Sequence, residues 1–68
     1  MLKKHSVKIA GHATSITLES PFWDQLKRVA TERDMALSTL IEDIDTQRGD
    51  QNLSSALRVF VLETVMEK

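Results

Sequence analysis

The sequence predicts a mainly α-helical domain that begins with a short β-strand and forms an intertwined homodimer. Residues 14–19 alternate polar and apolar side chains at the two-residue period of a strand, with Ile16 and Leu18 on one face. Three segments with the apolar spacing of helices follow this strand. One strand cannot form a sheet alone, and a chain of 68 residues has a marginal core. The strand is therefore expected to pair with the same strand of a second copy.

Positive charge is concentrated at the start of the chain. Residues 1–18 contain no acidic side chain, whereas every Asp and Glu lies from Glu19 onward. The basic side chains and histidines of this segment are Lys3, Lys4, His5, Lys8 and His12. The asymmetry predicts a basic arm over residues 1–10 that leads into a more acidic helical body. This arm is either a solvated, frayed terminus or a short strand.

Gly11 lies where the alternating pattern changes. Val7 and Ile9 share one face of a strand-like stretch, but the apolar positions change parity between Ile9 and Ile16. Gly11 permits either a bulge in one long strand or a turn between two short strands. The sequence leaves both alternatives open.

The first helix is predicted over residues 21–33. Ser20 is expected to cap its first turn, and Pro21 is acceptable at the first helical position because no N–H bond is needed there. Asp34 is expected to end the helix. The apolar stripe consists of Phe22, Leu26, Val29 and Ala30, with Trp23 beside it.

Two further helices are predicted over residues 37–48 and 53–67. Leu37, Leu40, Ile41 and Ile44 form the stripe of the second helix. Gly49 is expected to stop that helix, and Asn52 is expected to cap the third. Apolar residues cover more than one face of the third helix, which predicts burial against a partner subunit as well as against its own chain.

The composition excludes several classes of site and location. The chain contains no cysteine, which rules out disulfides and thiolate metal sites and fits a reducing compartment. No apolar run reaches the roughly 18–20 residues that span a bilayer. A cytoplasmic protein without membrane association is expected.

The residues also give no indication of catalysis. They include no nucleophile–base arrangement, no Gly-rich phosphate loop and no carboxylate pair beyond ordinary helix-surface acids. His5 and His12 are seven residues apart and have no acidic neighbour in their segment, so no metal site is expected. We therefore predict neither an enzyme nor a cofactor.

Two motifs carry a family resemblance that extends over nearly the whole chain. They are H-x-T-S-I-x-L-E-x-x-F-W at residues 12–23 and N-L-S-S-A-L-R-V-F-V-L-E at residues 52–63. Together with the order strand, helix, helix and extra helix, they resemble the ribbon–helix–helix superfamily of Arc/MetJ-type bacterial DNA-binding proteins. More specifically, the two motifs resemble those of a family of short bacterial proteins with this domain.

The resemblance implies a homodimeric transcriptional regulator. Two copies would pair their strands into an antiparallel β-ribbon that enters the DNA major groove, with Ser15 and Thr17 facing outward. The lysines would contact phosphates, and the start of the second helix would seat one more phosphate. The DNA-binding residues predicted in this way are Lys3, Lys4, Lys8, His12, Ser15, Thr17, Leu37 and Ser38.

The resemblance also implies a shared core and a set of partners. The predicted dimer core consists of Ile16, Leu18, Phe22, Trp23, Leu26, Leu40, Ile41, Ile44, Leu57 and Phe60. The predicted partners are DNA and a second copy of the chain. Two dimers bound side by side on DNA would form a tetramer, which is a further expectation.

A protein-interaction module is the alternative function. The net charge is −1, and Glu19 stands at the end of the outward row, where it would repel phosphate. Asp34 and Ala36 occupy turn positions at which the superfamily usually has Gly and a Ser or Thr cap. Such a protein would keep the fold but use its last helix to bind another protein, as an antitoxin or adaptor does.

Overall fold

A computed structural model describes residues 2–67 as two strands followed by three helices. The elements are β1 (Leu2–Ile9), β2 (His12–Glu19), α1 (Ser20–Glu32), α2 (Leu37–Gln47) and α3 (Leu53–Met66). The predicted fold class, mainly helical with a short β part and an extra C-terminal helix, is confirmed. The structure describes a single chain.

The strands form an antiparallel hairpin within this chain. The register runs from Leu2 opposite Glu19 to Ile9 opposite His12. The strand predicted at residues 14–19 therefore already has one strand partner within its own chain. The basic arm forms a full strand because the chain reverses direction at residues 10–11.

A two-residue turn makes this reversal, which decides between the alternatives left open at Gly11. Ala10 has a φ of 51° and Gly11 a φ of 83°. Positive φ at both central residues is the requirement of a type I′ turn, whose twist matches that of the flanking strands. The turn also explains the change of parity. Odd-numbered residues of β1 pair with even-numbered residues of β2, so Val7 and Ile9 meet Ile16 and Leu18 on one face.

This inner face of the hairpin packs on the helices and forms the core. The buried apolar residues are Ile9, Ile16, Leu18, Leu26, Val29, Ala30, Leu40, Ile41, Ile44, Ala56, Leu57 and Val61. Seven of the ten residues predicted for the dimer core belong to this set, and Phe22, Trp23 and Phe60 are partly buried against it. One chain therefore buries these side chains by itself, because β1 completes a sheet wide enough to cover the helices.

The junction between β2 and α1 differs from the expected capping. Glu19, with φ −64° and ψ 143°, is the N-cap residue, and Ser20 is already helical. No side chain caps the helix, so the prediction for Ser20 is wrong. The reason is that β2 stays extended through Glu19 and passes directly into the helix. Pro21 still lies in the first turn, where its missing N–H costs nothing.

The turn between α1 and α2 is closed by backbone hydrogen bonds. The N–H of Asp34 donates to the carbonyl of Thr31 at 3.1 Å, and that of Met35 donates to the carbonyl of Ala30 at 3.0 Å. This pair of bonds is a Schellman motif, which places its C′ residue in the left-handed region. Asp34 has a φ of 56°, so it takes the place that glycine usually fills. α1 accordingly ends before Asp34.

The end of α2 and the start of α3 agree with the sequence predictions, whereas the start of α2 has no capping side chain. Gly49 has a φ of 62° beyond α2, and Asn52 caps α3 by accepting from the N–H of Ser55 at 3.3 Å. Ala36 is the N-cap of α2 and has no capping oxygen. Ser38 lies inside α2 and does not cap it, because Leu37 already begins the helix.

We predict that Ala10→Asn stabilises the protein. Asn tolerates left-handed backbone better than Ala, and Asn-Gly is the preferred pair of a type I′ turn, so we expect a gain of about 0.5–1 kcal/mol in the free energy of unfolding. Thermal or urea unfolding measures it. Ala13→Asn is the control, because Asn in an exposed strand brings no such gain. An unchanged or lower stability of Ala10→Asn would contradict the turn assignment.

Candidate nucleic-acid interface

The solvent-facing side of the hairpin, here called the outer face, brings together basic and hydroxyl side chains. Its residues between the turn and the open end are Lys4, Ser6 and Lys8 from β1 and Ala13, Ser15 and Thr17 from β2, all exposed. Lys4 lies opposite Thr17, and Ser6 lies opposite Ser15. Directly opposite residues have Cβ atoms about 4.5–5.5 Å apart, so these pairs form one continuous polar surface.

The two strands contribute different chemistry to the outer face. Both cations, Lys4 and Lys8, are on β1, and four residues of strand separate them by about 13 Å. The hydroxyls of Ser15 and Thr17 are on β2, where they can donate or accept a hydrogen bond. The ammonium groups attract anions, whereas the hydroxyls can contact bases or phosphates.

The one acid at the end of this row is paired. Nε of Arg58 donates to a carboxylate oxygen of Glu19 at 2.8 Å, joining α3 to the end of β2. This hydrogen bond is the main reason that the pKa of the Glu19 carboxyl lies below its ordinary value, and a backbone hydrogen bond of the same residue adds to the effect. The positive charge of Arg58 compensates Glu19, so the repulsion of phosphate expected from Glu19 is reduced.

Two residues of the predicted DNA-binding set do not lie on the outer face. Lys3 is exposed but lies opposite Leu18, on the side of the hairpin that carries the core. His12 is exposed beside the turn, opposite Ile9. The hairpin therefore groups Lys4 and Lys8 with Ser15 and Thr17 and separates Lys3 and His12 from them.

The start of α2 holds the remaining predicted residues, Leu37 and Ser38. Both are partly buried, and Ala36 supplies no side-chain acceptor for the first-turn N–H groups. A helix start of this kind can attract an anion through its dipole and its unpaired donors. Leu37 also packs against the core, so only its backbone is suited to such a contact.

Sequence reasoning missed Ser6, and it considered Arg58 only as a partner of Glu63, of an acid of the second helix or of phosphate, and not of Glu19. Ser6 could have been found from its alternation with Val7 and Ile9, once a two-residue turn at Ala10–Gly11 fixed the register. Arg58 offered no such signal, because 39 residues separate it from Glu19.

The inner face is held to α1 by an aromatic stack. The rings of His5 and Trp23 are parallel within 7°, with centroids 3.8 Å apart. Nε2 of His5 is buried, and it is the one such side-chain nitrogen or oxygen without a hydrogen-bond partner in residues 2–67. The stack fixes the middle of β1 over the helix, and so it also sets the position of the outer face.

A cleft of about 440 Å³ opens beside β2, between the hairpin and the α2–α3 corner. Thr14, Ser15 and Ile16 line one side of it, and Arg48 and Leu53 are among the residues on the other side. Arg48 is held in place because its Nε donates to the Asp45 carboxylate at 2.6 Å.

Other kinds of site find no support in the part of the chain that the structure describes. Within residues 2–67, no three His, Cys, Asp or Glu side chains form a group that could hold a metal ion. None of the helices described is long and apolar enough to cross a membrane.

Comparison with known families gives a match over almost all of the chain. The model of the ribbon–helix–helix domain family matches residues 2–65. The chain belongs to the ribbon–helix–helix family. No significant match to a curated protein or to a solved structure was found.

Family membership agrees with the resemblance that the two motifs carry. Ribbon–helix–helix domains are generally DNA-binding regulatory domains. In this ribbon–helix–helix chain, both strands of the hairpin lie within the matched residues, so β1 is part of the domain and not a separate arm.

We predict that Arg58→Gln raises the pKa of the Glu19 carboxyl toward its ordinary value, because the hydrogen bond that lowers it is lost. A depressed carboxyl pKa means that the pair stabilises the fold above the unfolded-state pKa. This stabilisation is lost as the pH falls through the lower folded-state value. NMR titration of the Glu19 carboxyl measures the shift.

Arg28→Gln is the matched control for this titration. It removes an arginine whose ion pair, to Glu32 at 3.5 Å, lies elsewhere on the surface. Glu19 should titrate as in the wild type in this variant. If Glu19 titrates identically in the wild type and in Arg58→Gln, the ion pair does not control its charge.

Proposed function

We propose that this ribbon–helix–helix protein is a DNA-binding transcriptional regulator that acts in the cytoplasm as a homodimer. The observation that carries the proposal is the outer face, where Lys4 and Lys8 share one exposed surface with Ser15 and Thr17. Family membership supports a regulatory binding role over catalysis.

Attraction to DNA would come from the lysines. The net charge of the whole chain is −1, so a general positive field cannot attract DNA. The local field of the outer face differs, because residues 2–18 contain no acid and Arg58 compensates Glu19. Each phosphate that a lysine neutralises releases counterions, which makes binding weaker at higher salt.

Recognition of a particular DNA sequence would depend on Ser15 and Thr17. Their hydroxyls can reach base edges in the major groove, but they lack the bidentate geometry of Arg, Asn or Gln. We therefore expect modest discrimination between sites, with a large electrostatic contribution to affinity. Pairs of dimers bound in tandem would add specificity that one dimer lacks.

The double variant Lys4→Gln/Lys8→Gln tests this proposal. If both lysines of each copy contact phosphate, a dimer loses four contacts, and the slope of log K against log salt falls by about 3–4. Fluorescence anisotropy with genomic fragments, including the region upstream of its own coding sequence, measures this slope.

Lys27→Gln is the control, because Lys27 is an exposed lysine on α1, away from the hairpin. Its salt slope should equal that of the wild type. The proposal fails if the folded wild type shows no salt-dependent binding near an ionic strength of about 0.15 M. It also fails if Lys27→Gln and the double variant have the same effect.

A specific observation favours a second candidate, a protein-interaction module. Val59, Leu62, Val65 and Met66 lie along one side of α3 with 43–73% of their surface exposed. A run of exposed apolar residues on one helix commonly marks a protein contact. In this function the last helix binds another protein, as in an antitoxin or adaptor, and DNA binding is weak or absent.

We expect Leu62→Glu/Met66→Glu to separate the two functions, because charge on this side of α3 opposes an apolar contact but lies away from the outer face. The protein is isolated from a nuclease-treated native lysate, and bound proteins are quantified. A stoichiometric partner that this variant loses, but that Lys4→Gln/Lys8→Gln retains, would establish the interaction module. Recovery of the chain without a protein partner would exclude it.

A further inference from the structure

The exposed side of α3 carries its side chains at the spacing of a coiled-coil seam. Ser55, Val59, Leu62 and Met66 follow one another at intervals of four, three and four residues, and these four residues are here called the α3 seam. Such intervals place successive residues along one side of a helix. In heptad letters, Val59 and Met66 occupy a positions, and Ser55 and Leu62 occupy d positions. The apolar side chains of the seam are all exposed.

The α3 seam faces away from the core of its own chain. The residues of α3 that are buried in the core are Ala56, Leu57 and Val61, which lie on the opposite side of the helix. Two such helices can therefore pack seam to seam with their helical bodies on opposite sides of the contact. The seam contains no residue of the hairpin, so this contact leaves the outer face exposed.

The residue types of the seam favour one helical partner in a two-stranded arrangement. A β-branched residue at a with Leu at d favours parallel coiled coils of two strands, and Val59 and Leu62 form this combination. A second copy of the chain presents the same seam. About a two-fold axis, each apolar residue of the seam then meets its own counterpart.

The charges beside the seam are complementary to those of a second copy. Arg58 and Val65 occupy g positions, and Glu63, five residues after Arg58, occupies an e position. In a parallel pair, a g residue lies beside the e residue five positions further along the partner helix. Each Arg58 would therefore meet Glu63 of the second copy. An antiparallel pair would instead place g residues beside g residues and would form no such ion pair.

Arg58 is suited to bind two carboxylates. Its Nε donates to the Glu19 carboxylate within the chain at 2.8 Å, and the Nη atoms of a guanidinium carry further N–H donors. The ion pair with Glu19 leaves 34% of the Arg58 side chain exposed at the border of the seam. Glu63 is exposed at the other border.

Packing within the chain already orders α3 before any partner binds. An isolated helix of 14 residues is marginal in water, because ordering its backbone costs conformational entropy. In this chain, burial of Ala56, Leu57 and Val61 orders the helix, so association does not carry that cost. A seam of this length can therefore support a specific contact.

We propose that two copies bind each other through α3 as a short parallel coiled coil. Val59 and Leu62 meet their own counterparts, and Arg58 pairs with Glu63 of the second copy. The occupant of the exposed side of α3 is thus a second copy of this chain and not an unrelated protein. This inference goes beyond the proposed function, because the contact requires neither DNA nor a residue of the outer face.

Cysteine crosslinking without DNA tests the contact, since the chain has no cysteine of its own. Val59→Cys and Leu62→Cys are oxidised separately and as an equal mixture. Glu67→Cys is the control, because Glu67 is exposed at the end of the same helix but lies outside the seam. We expect each seam variant alone to give disulfide-linked dimers at a yield roughly tenfold above the control, since cysteines more than about 7 Å apart cannot bridge.

The products of the mixture report the orientation of the two helices. Parallel pairing joins each variant to itself, so the mixture should give mainly these two products. An antiparallel pair places Val59 beside Leu62, and a mixed disulfide formed in preference to both other products would overturn the proposal. Yields from both seam variants no higher than that of Glu67→Cys would also overturn it.

Sedimentation equilibrium of the purified protein tests the ion pairs. Glu63→Arg places like charges together at both borders of the contact, so we expect self-association to weaken about tenfold at low salt. Glu67→Arg makes the same change of charge outside the seam and should leave self-association unchanged. Equal effects of the two variants would overturn the proposal, because net charge and not the seam would then govern association.

The lysate measurement described above separates a second copy from another protein. If an unrelated protein occupies the seam, Leu62→Glu/Met66→Glu loses that protein, and the purified seam variants do not crosslink. This result would overturn the inference in favour of the protein-interaction module. Because no arm of the crosslinking test contains DNA, its outcome is independent of whether the outer face binds DNA.

Discussion

The type I′ turn at Ala10–Gly11 is the constraint on which the rest of this structure depends. It fixes the register of the hairpin, and the register decides which side chains share a face. A shift by one residue would put the apolar residues of β1 and β2 on opposite faces of the sheet, so one of the two sets would face solvent. The turn therefore sets the core and the candidate interface together, although Ala10 is held in a backbone region that disfavours side chains.

The single chain forms a hydrophobic core without a second copy. The ribbon strand was expected to rely on a second copy, yet β1 supplies its first partner, and the chain buries Ile16, Leu18 and Leu57 within itself. A second copy is therefore not needed to cover these side chains. The stack of His5 on Trp23 adds an anchor between the hairpin and α1.

The electrostatic field at the outer face depends more on the nearby charges than on the net charge of the chain. A net charge of −1 would argue against nucleic-acid binding if charge were spread evenly, but the sequence segregates its acids after residue 18. The ion pair of Arg58 with Glu19 strengthens this segregation, because it compensates the acid nearest to the outer face and keeps that acid ionised. Screening over about 8–10 Å at physiological salt limits the influence of the acidic helices on Lys4 and Lys8.

The sequence by itself determined the order of the elements from residue 14 onward, the apolar stripes of α1 and α2, the stops at Asp34 and Gly49 and the outward orientation of Ser15 and Thr17. These features depend on periodicity and on residues within one turn of each other. The tertiary structure alone decided that β1 pairs with β2, that Ser6 joins Lys4 and Lys8 on the outer face while Lys3 and His12 do not, and that Arg58 compensates Glu19. Each of these depends on which distant segments meet in space, and local spacing carries no information about a contact between residues 39 positions apart.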